Sequence, residues 1–207
     1  MKKPEEELMS SRILLHCCCA PCSSAILEWM LAHDVRPTLF YCNPNIYPYD
    51  EYIIRKNELT RYAEKLGLEI IDDDYDHETW LCGVKGLEQE PERGGRCLKC
   101  FKMRLLRTAR KAVELGLPEF TTTLASSRWK SLEQINAAGR WASEQVNGQA
   151  RFNEKNWRKG GLQERRNQLL RELGFYNQLY CGCEFSMNNK VSSMDNKEGS
   201  LNDKVSK

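Results

Sequence analysis

Ten cysteines in a 207-residue chain are the residues best able to do chemistry, and they are clustered rather than scattered. Cys17, Cys18, Cys19 and Cys22 crowd one segment, Cys97 and Cys100 form a C-x-x-C, and Cys181 and Cys183 form a C-x-C. Cys42 and Cys82 stand alone. Two intervening residues let the sulfurs of Cys97 and Cys100 point the same way and clamp one metal centre. Such a pair needs two more thiolates to complete a zinc tetrahedron or an iron–sulfur cluster, and Cys18 and Cys19 are the expected donors. A zinc knot that holds the loop is the plainer alternative. Adjacent cysteines diverge on an extended chain, however, which suits a cube with separated irons better than a compact tetrahedron. Cys17 and Cys22 are then spare donors for a second, separate metal. In Cys181-Gly182-Cys183 the single intervening residue allows a small, strained and therefore easily reduced disulfide ring. Two further metal ligands fit that spacing as well.

The compartment decides how so many cysteines are read. The N-terminus, MKKPEEELMSSR, is charged where a secretory signal needs an apolar stretch of about 7–15 residues. No run approaches the roughly 18 apolar residues that span a bilayer. A cytoplasmic protein with no membrane contact is expected, and in the cytosol thiols stay reduced, which favours metal ligation or redox catalysis over a disulfide framework.

The net charge of +2 hides an asymmetry. Residues 1–95 carry a balance of −8, residues 96–166 one of +10, and residues 167–207 are neutral. A basic block in a near-neutral protein is a candidate footprint for a polyanion. Lys99, Lys102, Arg104, Arg107, Arg110 and Lys111 fall on one expected helix beside Cys97 and Cys100, and Arg151, Lys155, Arg158, Lys159, Arg165 and Arg166 extend the region. A charged helix is ordinarily a solvated face, but such a face mixes both signs, and this one does not. Lys99, Lys102, Arg107, Arg110, Arg128, Lys130 and Arg158 are the candidates for nucleic-acid phosphates. Trp129, Trp141 and Trp157 lie among these charges and can stack bases, with core burial favoured for Trp141. Asn43, Asn45, Tyr47 and Tyr49 can hydrogen-bond and stack a modified base, or simply form a turn that seals the sheet. His16 reads as an ordinary strand residue, and His33 and His77 carry no signal.

The elements that must position these residues alternate. Residues 12–19 read as a strand, followed by a helix capped by Ser23 or Ser24 and running to about His33. Strands are expected at Pro37–Cys42, Leu68–Ile71, Glu119–Leu124 and 151–157. Helices are expected at Asp50–Leu66, Lys99–Leu115, Ser131–Val146 and Leu162–Leu173, with a Ser131/Gln134 capping box. Residues 72–96 read as a long polar loop with room for one short helix, and Tyr180–Phe185 as a loop or sheet edge. The implied fold class is α/β: a single domain, residues 12–187, with a parallel sheet and crossover helices in a nucleotide-hydrolase-like three-layer architecture. Residues 1–11 are expected to be a flexible N-terminus and 188–207 a disordered tail. Ligands of such sheets gather beyond the carboxyl ends of the strands, which would put the first cysteine cluster, Cys42 and the loop to Cys97 on one rim. No glycine-rich phosphate loop of the Walker or dinucleotide type is present.

The runs LLHCCCAPCS, FYCNPNIYPYDEYIIRKNE, RCLKCFKMRLLRTA, EFTTTLASS and YNQLYCGCEFS, in that order, resemble the QueH family of epoxyqueuosine reductases across residues 12–187. The resemblance implies a cobalamin-independent enzyme that reduces epoxyqueuosine to queuosine at the wobble position of tRNA. It implies that Cys18, Cys19, Cys97 and Cys100 bind a [4Fe–4S] cluster and that Cys181 and Cys183 form a redox-active disulfide. It also implies an additional mononuclear iron, for which Cys22 is the nearest candidate ligand. The chemistry is consistent: turning an epoxide into an alkene removes one oxygen as water and consumes two electrons and two protons, so a dithiol complements a cluster that passes one electron at a time. The expected partners are tRNA carrying epoxyqueuosine and an external electron donor. Two other readings remain at this stage. An ATP-dependent iron–sulfur tRNA thiolase should carry an S-G-G-x-D-S-like loop after the first strand, and HCCCAPCSS has no glycine there. A non-catalytic, zinc-stabilised RNA-binding module would be colourless.

Overall fold

The computed structural model describes residues 9–187; the expected disordered tail, 188–207, and residues 1–8 of the expected flexible N-terminus lie outside it. Five strands form one sheet, β1 (Ile13–Cys17), β2 (Thr38–Tyr41), β3 (Ile70–Asp72), β4 (Glu119–Thr122) and β5 (Arg151–Phe152). Their order is β3-β2-β1-β4-β5 and every pairing is parallel. The helices are α1 (Ala20–Ala32), α2 (Tyr49–Lys65), α3 (His77–Val84), α4 (Gly95–Glu114), α5 (Leu132–Gln145) and α6 (Leu162–Glu172), with a 3-10 turn at Thr123–Ser126. α1 packs with α2 and α6, and α4 packs with α5. This is the expected α/β domain with crossover helices. β1, at the centre, is buried at all five residues, ILLHC, as a strand covered on both faces must be.

Several boundaries differ from expectation, each for a local reason. α1 starts at Ala20, not at Ser23 or Ser24: Pro21 presets the first turn, and Cys19 is the N-cap. Ser23 and Ser24 lie inside the helix and donate to the carbonyls of Cys19 (2.8 Å) and Pro21 (3.3 Å). α4 starts at Gly95, a turn before the expected Lys99, so Cys97 and Cys100 lie on the helix rather than before it. β4 stops at Thr122 because the Thr122 hydroxyl accepts the Leu124 N–H (3.1 Å) and tips the chain into the 3-10 turn. β5 then has nothing to pair with beyond Asn153, so the strand expected over 151–157 is two residues long and the chain turns to bury Trp157. The capping box is half formed: Ser131 Oγ accepts the Gln134 N–H (3.2 Å), but the Gln134 side chain donates to the Arg93 carbonyl (2.8 Å) instead of reaching back. α5 approaches β5 so closely that a Cβ at Gly139 would sit 2.3 Å from the Phe152 ring. Among the described residues, no helix is long and apolar enough to cross a membrane.

Strand order reverses between β1 and its neighbours β2 and β4, and the carboxyl ends of β1 and β4 open the crevice where such sheets take ligands. Cys17–Cys19 leave β1 there, and Thr122–Thr123 leave β4 beside them.

Candidate metal centre and its cavity

Cys19, itself extended, caps α1 and Cys22 follows three residues later, one turn along the helix, while Cys18 lies in the bend between β1 and that cap. This brings the sulfurs of Cys18, Cys19 and Cys22 within 4.8 Å of one another, with Cys18 Sγ and Cys19 Sγ 3.7 Å apart. Thr123, from the β4 side of the crevice, fixes Cys18: its hydroxyl oxygen accepts the Cys18 N–H at 3.2 Å and its O–H donates to Cys18 Sγ at 3.5 Å. On α4, the i, i+3 spacing sets Cys97 and Cys100 on one face. Cys97 Sγ accepts the Arg93 N–H at 3.3 Å, and Cys100 packs with Cys183, Trp80 and Val84.

Both groups meet at one cavity of about 510 Å³, whose walls include Cys18, Cys22, Cys97, Cys181 and Cys183. Of the four cysteines expected as one ligand set, Cys18 and Cys97 line this cavity, whereas Cys19 and Cys100 are not among its lining residues. All ten cysteines stand as free thiols. Cys17 turns away, its Sγ donating to the Leu15 carbonyl at 3.4 Å within the core. Cys42 is buried beneath the rim, and Cys82 is exposed.

The C-x-C segment is held from several sides. Arg55, buried on α2, donates to the carbonyls of Tyr180 and Cys181, both at 3.3 Å, while its Nε donates to Glu51 at 2.7 Å. Glu51 also accepts the Tyr176 hydroxyl at 2.8 Å, and Glu58 accepts the Tyr176 N–H at 2.6 Å. From the 43–48 turn, the Tyr47 N–H donates to the Gly182 carbonyl at 2.8 Å, and the Tyr47 carbonyl accepts the Tyr180 hydroxyl. Gly182 has φ +131°, a conformation that excludes a side chain, and a Cβ there would meet Ile46 at 3.2 Å and Arg55 at 3.3 Å. Just beyond, Glu184 accepts from His77 Nε2 at 3.0 Å, and His77 Nδ1 lies 2.7 Å from the Pro44 carbonyl.

Burial raises the thiols of Cys19, Cys97, Cys100 and Cys183, with Cys97 pushed up to about 11. Cys18 is the exception: hydrogen bonds from Cys19 and Cys22 hold it well below the ordinary thiol range, although burial opposes them. His16 beneath the cluster is pushed down to about 3, by burial first and then by the Arg104 charge, so it is neutral. It bridges Thr122 Oγ1 (2.7 Å) and the Cys42 carbonyl (3.0 Å) as a strand residue, as expected.

Arg96, Arg104 and Lys130 are among the cations that line the same cavity. Arg104 donates to the Cys42 carbonyl at 3.1 Å and to Asn43 Oδ1. Arg96 donates to the carbonyls of Leu87 (3.2 Å) and Glu88 (2.7 Å), and its Nε and Nη2 are buried without a partner. Lys130 reaches in from the loop after the 3-10 turn. Among the described residues, none of the three has an ion-paired carboxylate. Buried thiols, penalised as thiolates, together with cations that lack counter-charges fit a thiolate-bound metal group, which supplies a cation to the sulfurs and net negative charge to the arginines and lysine.

The remaining candidates separate. Lys99 and Arg110 are exposed on α4. Lys102 lies 4.9 Å above the Trp141 ring, and Arg107 pairs with Asp73 at 2.6 Å. Arg128 lies over the ring of Trp129, which is 66% exposed at the cavity wall. Arg158 is engaged with the carbonyls of Ala125 (3.2 Å) and Lys130 (2.9 Å). Of Trp129, Trp141 and Trp157, it is Trp157 and not Trp141 that is fully buried in the core; Trp141 is half-buried. Asn43 braces the site from below, its Nδ2 donating to the Cys17 carbonyl at 2.9 Å, while Asn45 lines the cavity with a buried Oδ1 that has no partner. Tyr47 and Tyr49 are exposed.

A family model described as "Epoxyqueuosine reductase QueH" matches residues 13–189. Curated proteins with that same description are similar over most of the chain. The one from Histophilus somni is 46% identical over 177 residues, covering 86% of this chain and 72% of the relative. The one from Haemophilus influenzae is 45% identical over the same length and shares. The one from Acinetobacter baylyi is 42% identical over 191 residues, covering 90% of this chain and 87% of the relative.

Proposed function

Because the chain belongs to the epoxyqueuosine reductase QueH family, a family of oxidoreductases, we propose that it reduces epoxyqueuosine to queuosine at the wobble position of tRNA, in the cytoplasm, with Cys18, Cys19, Cys97 and Cys100 as ligands of a [4Fe–4S] cluster. The observation that carries the reading is the convergence of two cysteine groups from opposite sides of the sheet's switch point on one cation-lined cavity. Held by these four cysteines, a cluster would supply single electrons at the cavity, and Cys22 would be the spare sulfur to hold an additional iron, which would supply Lewis acidity towards the epoxide oxygen.

The chain's own residues do the rest. Cys181 and Cys183 are the two-electron store: two thiols give up two electrons and two protons and become a disulfide, and the epoxide takes them up, losing its oxygen as water and leaving an alkene. An external reductant returns the disulfide to the dithiol. Arg55, Gly182 and the Tyr47 N–H hold the pair at the cavity wall. Trp129 and Leu179, both exposed there, offer apolar surface to a nucleobase that leaves the anticodon stack. The family match leaves the thiolase and zinc-module readings without support, and the first turn of α1, which follows β1, carries Pro21, which has no N–H to offer a phosphate, where a thiolase needs its phosphate loop.

Exposed cations of α4 are proposed to meet the tRNA backbone. Lys99→Glu together with Arg110→Glu should weaken binding and reduce the slope of log affinity against log salt by about 0.7–0.9 per lost phosphate contact, leaving iron and sulfide content unchanged. Filter binding across a salt series checks this, and an unchanged affinity and slope would put the RNA on another face.

A further inference from the structure

Arg104 and Lys130 face the sulfurs from different elements, α4 and the loop after the 3-10 turn. The charge of Arg104 interacts with Cys100, Cys18 and Cys181, and that of Lys130 with Cys181, Cys18 and Cys22. Arg55, the other buried cation nearby, is already neutralised by Glu51, and Arg96 is spent on loop carbonyls and the Phe185 ring. Among the described residues neither Arg104, which donates to the Cys42 carbonyl and Asn43 Oδ1, nor Lys130 is ion-paired with a carboxylate. Unpaired charge on a cavity wall is costly unless something negative answers it, and the cysteine constellation is what lies opposite.

We propose that Lys130 and Arg104 are the counter-charges of the sulfur centre: they offset part of the negative charge of the metal–thiolate assembly and so raise its reduction potential. The proposal rests on the ligand reading above. Reducing the centre adds one negative charge, which a nearby cation stabilises, so the net charge and surroundings of a cluster set its potential. Lys130 thereby acts through the centre. On sequence alone it reads as one more phosphate contact.

The test is a redox titration, followed by electron paramagnetic resonance, of holoenzyme reconstituted without oxygen. Lys130→Met should keep its iron and sulfide and show a more negative midpoint, equivalent to about tenfold in the reduction equilibrium, or about 59 mV for one electron. Lys130→Arg, which keeps the charge, should stay near the wild-type midpoint. Arg104→Met should move the same way, but Arg104 also braces the Cys42 carbonyl and Asn43, so the Lys130 pair carries the test. A loaded Lys130→Met protein with an unmoved midpoint overturns the proposal. An unmoved midpoint with weakened tRNA binding overturns it too and makes Lys130 a phosphate contact. Wild-type protein that takes up neither iron nor sulfide overturns the ligand reading itself, and this proposal with it.

Discussion

Cys97→Ala protein, reconstituted without oxygen, is expected to lose its iron and sulfide and to fall to background in epoxide reduction while remaining folded. Cys97 sits in the first turn of α4 with its sulfur at the cavity wall, where the Arg93 N–H donates to it. Removing one partly buried sulfur costs the fold little, on the order of 1 kcal/mol. The same deletion takes away one corner of a cube, and with no unassigned cysteine beside α4 in a position to replace it, the remaining three sulfurs hold iron poorly. Cys82→Ala, at an exposed position outside the cavity, should change nothing and is the control. Metal and sulfide analysis decides between outcomes: a Cys97→Ala protein with full iron, sulfide and turnover would remove Cys97 from the ligand set.

Replacing Cys181 or Cys183 by serine should have the opposite spectroscopic and the same catalytic result. The cluster absorbance stays, and turnover stops. Four other cysteines suffice for a cube, and Gly182 joins the two cysteines of the proposed relay. Its φ of +131° bends the chain between the two cysteines, and Arg55 pins the carbonyls on one side. Holding the segment through a buried ion pair is a firm arrangement, since breaking such a pair by losing one partner costs about 3–5 kcal/mol. Thiol counting on denatured protein should find two more thiols after reduction than before. If instead the serine variants lost iron, the pair would be ligands, and equal thiol counts in both states with an active Cys183→Ser would end the relay.

Much of this arrangement is legible in the sequence because the strands are buried on both faces and read as apolar runs, and because cysteine spacing survives folding. The order ILLHC, TLFY, EFTT gives the sheet, and Cys18, Cys97 and Cys183 do line one cavity. What does not read through is the direction of charge. Glu51 and Arg55 are an i, i+4 pair on α2, and the same letters describe a solvated pair; only the fold buries them and aims them at Cys181. Arg104 and Lys130 look like members of a basic block until α4 and the loop after Ser126 turn them inward. His77 carries no signal because its partner, Glu184, is 107 residues away. Helix starts depart from expectation where backbone geometry, at Pro21 and Gly95, outweighs side-chain capping.

The most direct test of the central claim is nucleoside mass analysis of epoxyqueuosine-containing tRNA after incubation, without oxygen, with the reconstituted enzyme and a chemical reductant. The account predicts that the modified nucleoside loses the mass of one oxygen atom, that the product is queuosine, and that protein stripped of iron and sulfide gives none. Unchanged epoxyqueuosine in the presence of fully loaded enzyme, or conversion by the metal-free protein, would contradict it.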